Sequence, residues 1–267
     1  MNDASGAPPE LHARIRGDDG PALVILHGLF GSANNWNRIA RDLAEDHRVV
    51  MLDLPNHGQS PHVADMTYPA MARAVIHTLE VHGIDRAHVV GHSMGGKVAM
   101  ALALLAPERV ERLLVADIAP LTYGDRGHGE LIRALQGLEL ARITSRNAAT
   151  EALASTIPDP GVRQFLLANL EKTEAGFDWR IPLQALADNL PVVAGFPDLS
   201  GSFEGPTLFL RGALSDYVPA DAETAIRGLF PRATIDELPG AGHWLHAERP
   251  DAFTARLRAF LGTATTA

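Results

Sequence analysis

Short unbroken apolar runs recur along this chain, and between them apolar residues fall three or four positions apart. The runs at 22–26, 48–53, 87–91, 110–117, 206–212 and 233–238 read as strands, and several are apolar almost throughout, as expected of strands covered on both faces. Near the start, Leu11, Ala13 and Ile15 alternate with His12, Arg14 and Arg16, which predicts a half-exposed strand at a sheet edge. Trp36, Ile39, Ala40 and Leu43 keep helical spacing, as do Tyr68, Ala72, Val75, Ile76 and Leu79. Strands alternating with helices in this way predict a mostly parallel sheet sandwiched between helices. The segment 98–105 has almost no polar face, so it is expected to lie against the middle of that sheet. Further helices are expected over 220–229 and 250–261.

The rhythm changes over residues 121–205. No strand-like run is visible there, and amphipathic helical segments are expected around 131–143, 148–157, 162–170 and 183–193, with Thr144, Ser145, Asn147 and Asp159-Pro160 as helix-start signals. Four helices in succession predict an inserted cap over the active-site end of the sheet. The expected organisation is a core domain from 10–120 and 206–262, a helical cap at 121–205, and flexible tails at 1–9 and 263–267.

Composition narrows the function. The 267 residues are 46% hydrophobic and 21% charged, ordinary values for a globular protein long enough for a sizeable core. A net charge of −9 argues against nucleic-acid binding, which needs a positive face. The chain has no cysteine, which excludes disulfides, thiolate metal sites and a cysteine nucleophile. With no signal-peptide pattern at the start and no apolar run of membrane-spanning length, the expected location is cytoplasmic and no membrane partner is expected.

The chemistry centres on Gly91-His92-Ser93-Met94-Gly95, which follows a buried strand and passes directly into a buried helix. A strand, tight turn and helix of this kind hold the serine in a strained conformation with its hydroxyl above the sheet, so Ser93 is the expected nucleophile. A serine needs a base and an acid that orients the base. His243 follows the last strand in a glycine-flanked loop and is the expected base. His246, three residues on, has the spacing of a metal pair with His243, but no cysteine or paired carboxylate completes such a site, and no metal is expected. Two aspartates compete for the acid: Asp117 ends the strand that follows the serine strand, and Asp216 lies in the loop after Gly212. A carboxylate that must orient a histidine works best on a rigid element, which favours Asp117. The oxyanion donors are expected to be the backbone N–H groups of Leu29 and Met94. Phe30, His92 and Trp244 are candidate pocket residues, and Phe30 and Met94 are expected to share an apolar acyl pocket.

Together, His27-Gly28-Leu29-Phe30-Gly31-Ser32, Asp53 to Ser60, the serine motif through Lys97, Val115-Ala116-Asp117-Ile118-Ala119-Pro120 and Gly240-Ala241-Gly242-His243-Trp244 resemble the α/β-hydrolase fold superfamily, in its small capped serine esterase and acyl-thioesterase branch. The resemblance implies an α/β fold with a mostly parallel eight-stranded sheet. Many members place the acid three residues after the glycine of the late strand, where this chain has Ser215. Members of the similar branch use an aspartate in an Asp-Ile-x-Pro turn, which is Asp117 here. The expected function is therefore hydrolysis of carboxylic esters or acyl thioesters through an acyl-enzyme, by a monomer or small homo-oligomer, with no cofactor. Carbon–carbon bond hydrolysis or lysis by the same triad, and ligand sensing with slow hydrolysis, are the alternatives.

Overall fold

The computed structural model describes residues 7–124 and 126–262, so residues 1–6 of the expected 1–9 tail, and all of the expected 263–267 tail, lie outside the described residues. In chain order the first part comprises β1 (Ala13–Arg16), β2 (Ala22–Leu26), α1 (Asn37–Leu43), β3 (Arg48–Leu52), α2 (Tyr68–Val81), β4 (Ala87–His92), α3 (Met94–Leu105) and β5 (Val110–Ala116). Then follow α4 (His128–Gln136), α5 (Arg146–Ala152), α6 (Pro160–Leu167), β6 (Leu170–Thr173), β7 (Gly176–Trp179) and α7 (Leu183–Ala194). The chain closes with β8 (Thr207–Gly212), α8 (Ala222–Leu229), β9 (Ala233–Leu238), α9 (Leu245–Glu248) and α10 (Pro250–Leu261).

The main sheet has seven strands among the described residues, in the order β1-β3-β2-β4-β5-β8-β9. It holds one strand fewer than the eight implied by the resemblance, because the chain enters the sheet through the single strand β1, antiparallel to β3, while the remaining pairs are parallel. Alternate residues of a strand face opposite layers. Val24, Leu26, Val50, Leu52, Val89, Leu113 and Val115 accordingly belong to the core beneath α2 and α3. Leu23, Ile25, Val49, Met51, Val90, Leu114 and Ala116 belong to the core with α1 and α10. β4 lies at the centre of this sheet, and α3 is buried from Met94 through Ala103, as its lack of a polar face predicts.

Residues 121–205 depart from the expected four helices. Gly137 ends α4, so the expected 131–143 segment is split, with only a short 3-10 turn at Leu140–Arg142 beyond it. The expected 162–170 segment stops at Leu167, because the chain there enters an antiparallel hairpin pairing Leu170 with Trp179 and Lys172 with Phe177. Its four-residue strands carry only Leu170, Phe177 and Trp179 as large apolar residues, too few to give a strand signature. Asn169 Nδ2 donates to the Phe30 carbonyl at 2.8 Å, and the Tyr68 hydroxyl donates to the Val193 carbonyl at 2.6 Å, so this region is bonded to the loop after β2 and to α2.

Candidate active site

Ser93 sits between β4 and α3 at φ 52° and ψ −120°, a conformation that non-glycine residues avoid. Neighbouring hydrogen bonds hold it there: its N–H donates to the Ala116 carbonyl at 3.1 Å, and its carbonyl accepts the Lys97 N–H at 3.1 Å. The flanking glycines are required by close backbone approach. A Cβ on Gly91 would lie 2.2 Å from the Gly95 carbonyl oxygen, and one on Gly95 would lie 2.4 Å from that of Leu26. The turn thereby lifts the hydroxyl out of the sheet at the carboxyl end of the central strand.

The other predicted site residues arrive from distant parts of the chain. His243 Nε2 lies 3.1 Å from Ser93 Oγ and its Nδ1 lies 2.7 Å from Asp117 Oδ2. This geometry suits an Nδ1–H that donates to the carboxylate and a bare Nε2 that accepts from the hydroxyl. Asp117 is fully buried at the end of β5, itself at φ 51°. Its Oδ1 accepts the Gly212 N–H at 2.8 Å, and its Oδ2 also accepts the hydroxyl of Ser215. Asp216 lies elsewhere: its side chain is 80% exposed and accepts from Arg126 Nη1 at 2.7 Å. That guanidinium hydrogen bond holds the Asp216 carboxyl below the usual range.

The loop after β2 is fixed by neutral histidines. The Phe30 N–H donates to His57 Nε2 at 3.1 Å, and the Leu54 N–H donates to His27 Nε2 at 2.9 Å. Each ring uses Nδ1–H on a carbonyl, His57 on Pro55 at 2.9 Å and His27 on Gly28 at 2.8 Å. Both are fully shielded, and burial pushes the His57 pKa down to about 3 and lowers that of His27. These bonds and that of the Gly31 N–H to the Gly28 carbonyl, at 3.0 Å, fix the loop around the Leu29 amide. The Met94 amide lies at the first residue of α3, where helix N–H groups point outward.

Two cavities meet at Ser93. The larger, of about 550 Å³, is walled by Phe30, His92, Phe165, Leu166, His243 and Trp244, so all three candidate pocket residues contribute to it. The smaller, of about 290 Å³, is walled by Met94, Tyr68, Lys97, Ile118 and Tyr123. Phe30 and Met94 therefore do not share one pocket as expected: Phe30, in the loop after β2, lines the larger cavity and Met94, at the start of α3, lines the smaller, while Leu29 lines both. His92 is buried and also ties the site together, its Nε2–H donating to the His243 carbonyl at 2.8 Å.

Several residues that shape the site carry no sequence signal of that role. Tyr217 stacks on the His243 ring with centroids 3.8 Å apart and planes 15° from parallel. The Arg126 guanidinium lies 4.6 Å from the centroid of the Tyr217 ring. Ser215, which occupies the place of the acid in many members, instead donates to Asp117. Among the described residues no group of three or more His, Cys, Asp or Glu side chains is placed to hold a metal ion. None of the described helices is long and apolar enough to cross a membrane.

The model of the Alpha/beta hydrolase family matches residues 23–256. A protein of Danio rerio named sn-1-specific diacylglycerol lipase is 41% identical over 253 residues, covering 92% of this chain and 80% of that protein. The esterase YbfF of Escherichia coli is 38% identical over 239 residues, covering 90% of this chain and 92% of its own. A solved structure titled marine microorganism esterase superposes with a TM-score of 0.92 at 36% identity, covering 94% of this chain and 99% of that one.

Proposed function

This chain belongs to the alpha/beta hydrolase family, and from that membership we propose that it hydrolyses carboxylic esters, or acyl thioesters, through an acyl-enzyme on Ser93. The observation that carries this reading is the chain of contacts from Ser93 Oγ to His243 Nε2 at 3.1 Å and from His243 Nδ1 to Asp117 Oδ2 at 2.7 Å. The names of the relatives, lipase and esterase, support ester substrates.

In the proposed reaction Ser93 Oγ attacks the carbonyl carbon while its proton passes to His243 Nε2. The Asp117 carboxylate holds the ring in the required tautomer and stabilises the imidazolium that forms. The negative charge on the former carbonyl oxygen is met by the Leu29 and Met94 amides, fixed in advance by their loop and helix. When the tetrahedral intermediate collapses, the bond to the leaving oxygen or sulfur breaks and His243 gives that atom the proton. A water molecule then attacks the acyl carbon, His243 takes its proton, and the acid leaves with Ser93 restored.

Residues 121–205 act in this reading as a cap. Their bonds to Phe30 and Tyr68, and the contribution of Phe165 and Leu166 to the larger cavity, support that role. The reading also takes the protein to be cytoplasmic and a monomer or small homo-oligomer, in keeping with a chain that contains no cysteine. Steady-state turnover of p-nitrophenyl esters by wild type and Ser93→Ala tests the activity. A loss of roughly 10⁶-fold in kcat is expected, because nucleophile and base act as a unit. Retention of more than a few per cent of the turnover contradicts the assignment.

A further inference from the structure

The two cavities at Ser93 differ in which catalytic group they contain. His243 forms part of the wall of the larger and is absent from the wall of the smaller. A leaving group must receive its proton from His243 Nε2, so it belongs on the side that His243 walls. The acyl remainder then takes the smaller cavity, beyond Met94.

That smaller cavity contains a buried lysine. Lys97 lies one turn of chain beyond Ser93, its N–H donating to the Ser93 carbonyl at 3.1 Å. It is only 1% exposed. Its Nζ donates to the carbonyls of Gly195 at 2.6 Å, Ala194 at 2.9 Å and Val193 at 3.4 Å. The Tyr123 and Tyr68 rings lie 4.7 and 5.6 Å from it. All of these neighbours except Gly195 line the cavity, so Nζ stands at its wall.

Peptide carbonyls satisfy the ammonium hydrogens but bring no net charge. Among the described residues no carboxylate makes an ion pair with Lys97, and burial pushes its pKa down to about 7. An uncompensated buried cation is costly to keep, and an anionic group entering the cavity would gain most from that charge. Arg126, also on the wall, is engaged by Asp216 at 2.7 Å. The weakest of the three Lys97 bonds is to Val193, whose carbonyl already accepts the Tyr68 hydroxyl at 2.6 Å, so that donor is the one an incoming anion can take over.

We propose that the smaller cavity is the acyl pocket and that Lys97 is the counter-ion for a carboxylate at the far end of the acyl chain. The preferred acyl donors are then half-esters or half-thioesters of dicarboxylic acids. This inference rests on the hydrolase reading above.

The test compares kcat/KM for the mono-p-nitrophenyl esters of adipic, pimelic and suberic acids with that for p-nitrophenyl hexanoate, heptanoate and octanoate. At the chain length that reaches Nζ, the half-ester is favoured roughly tenfold or more, chiefly through KM, because a hydrogen bond between charged groups strengthens binding by that order. Lys97→Met brings the ratio to one or below. Free pimelate likewise inhibits wild-type hydrolysis of the neutral esters more strongly than heptanoate does, which checks the claim without any variant.

Wild-type turnover of the neutral series with no preference at any length overturns the inference and leaves the hydrolase reading standing. A preference that survives in Lys97→Met also overturns it, since that is the result if Lys97 only ties segment 193–195 to α3 or if Arg126 supplies the charge. The absence of Ser93-dependent cleavage of either series overturns the hydrolase reading and the inference with it.

Discussion

The imidazole of His243 meets the carboxylate of Asp117 at 2.7 Å across 126 residues of sequence, while Asp216, far nearer in the chain, turns away to Arg126. Asp117 is fully buried, and its oxygens are also held by Gly212 and Ser215. Asp117→Asn is expected to lower kcat by about 10⁴-fold, because an amide stabilises the wrong histidine tautomer. Asp216→Asn is expected to cost less than about tenfold, since an exposed ion pair contributes little. Ester turnover by the two purified variants checks this, and the reverse ranking transfers the role of acid to Asp216.

The glycines of the serine turn make a second prediction, about folding. A Cβ on Gly95 would lie 2.4 Å from the Leu26 carbonyl oxygen and 2.5 Å from that of His27, both backbone atoms of the central sheet and its loop. Neither can move aside as a flexible side chain could. Gly95→Ala is expected to destabilise the protein by about 3 kcal/mol or more. Urea unfolding measures this, and a loss below about 1 kcal/mol would show that the turn and the β2 loop are not packed as described.

Buried histidines make the fold sensitive to acid. The pKa of His57 and that of His246 are each pushed by burial from 6.5 to about 3. Between those values the unfolded chain binds protons that the folded chain does not, so stability is full above the unfolded pKa and falls as pH drops below it. At about pH 5 each of these histidines is expected to cost about 2 kcal/mol relative to neutral pH. His57→Gln keeps an acceptor for the Phe30 N–H and removes one titrating group. Urea midpoints at about pH 7.5 and pH 5 should therefore converge in this variant by roughly that amount, and an unchanged acid sensitivity contradicts the neutral-histidine account.

What could be read from the sequence was local or apolar. Ser93 announces itself because its turn, strand and helix are contiguous, and β2 through β5 because burial on both faces leaves a continuous apolar run in each. His243 was legible from its place directly after the last strand. The choice between Asp117 and Asp216 could be argued from the stiffness of the strand end and from the resemblance, whereas the contact of Asp117 with His243 forms only when the loops after β5 and β9 meet in the folded chain. Ser215 could be recognised as occupying an acid's place, but not as a donor to Asp117.

Other features leave no side-chain pattern to read. Lys97 is held by the carbonyls of residues 193–195, and a backbone acceptor has no signature in sequence. Tyr217 reaches His243, and Arg126 reaches Tyr217, from separate loops, and this stacking follows from the fold alone. The β6–β7 hairpin was hidden by short, charged strands. That Phe30 and Met94 line different cavities, with Leu29 in the walls of both, depends on how the loop after β2 meets the start of α3 in the folded chain.

Direct trapping of the acyl-enzyme tests the central claim most closely. The protein is mixed with p-nitrophenyl hexanoate, quenched in acid during the first turnover, digested, and its peptides are weighed by mass spectrometry. A hexanoyl increment on the peptide containing Ser93, located to that residue by fragmentation and missing from Ser93→Ala, is the predicted result. Hexanoyl carried on a different residue, or ester turnover that continues in Ser93→Ala with no increment, would contradict it.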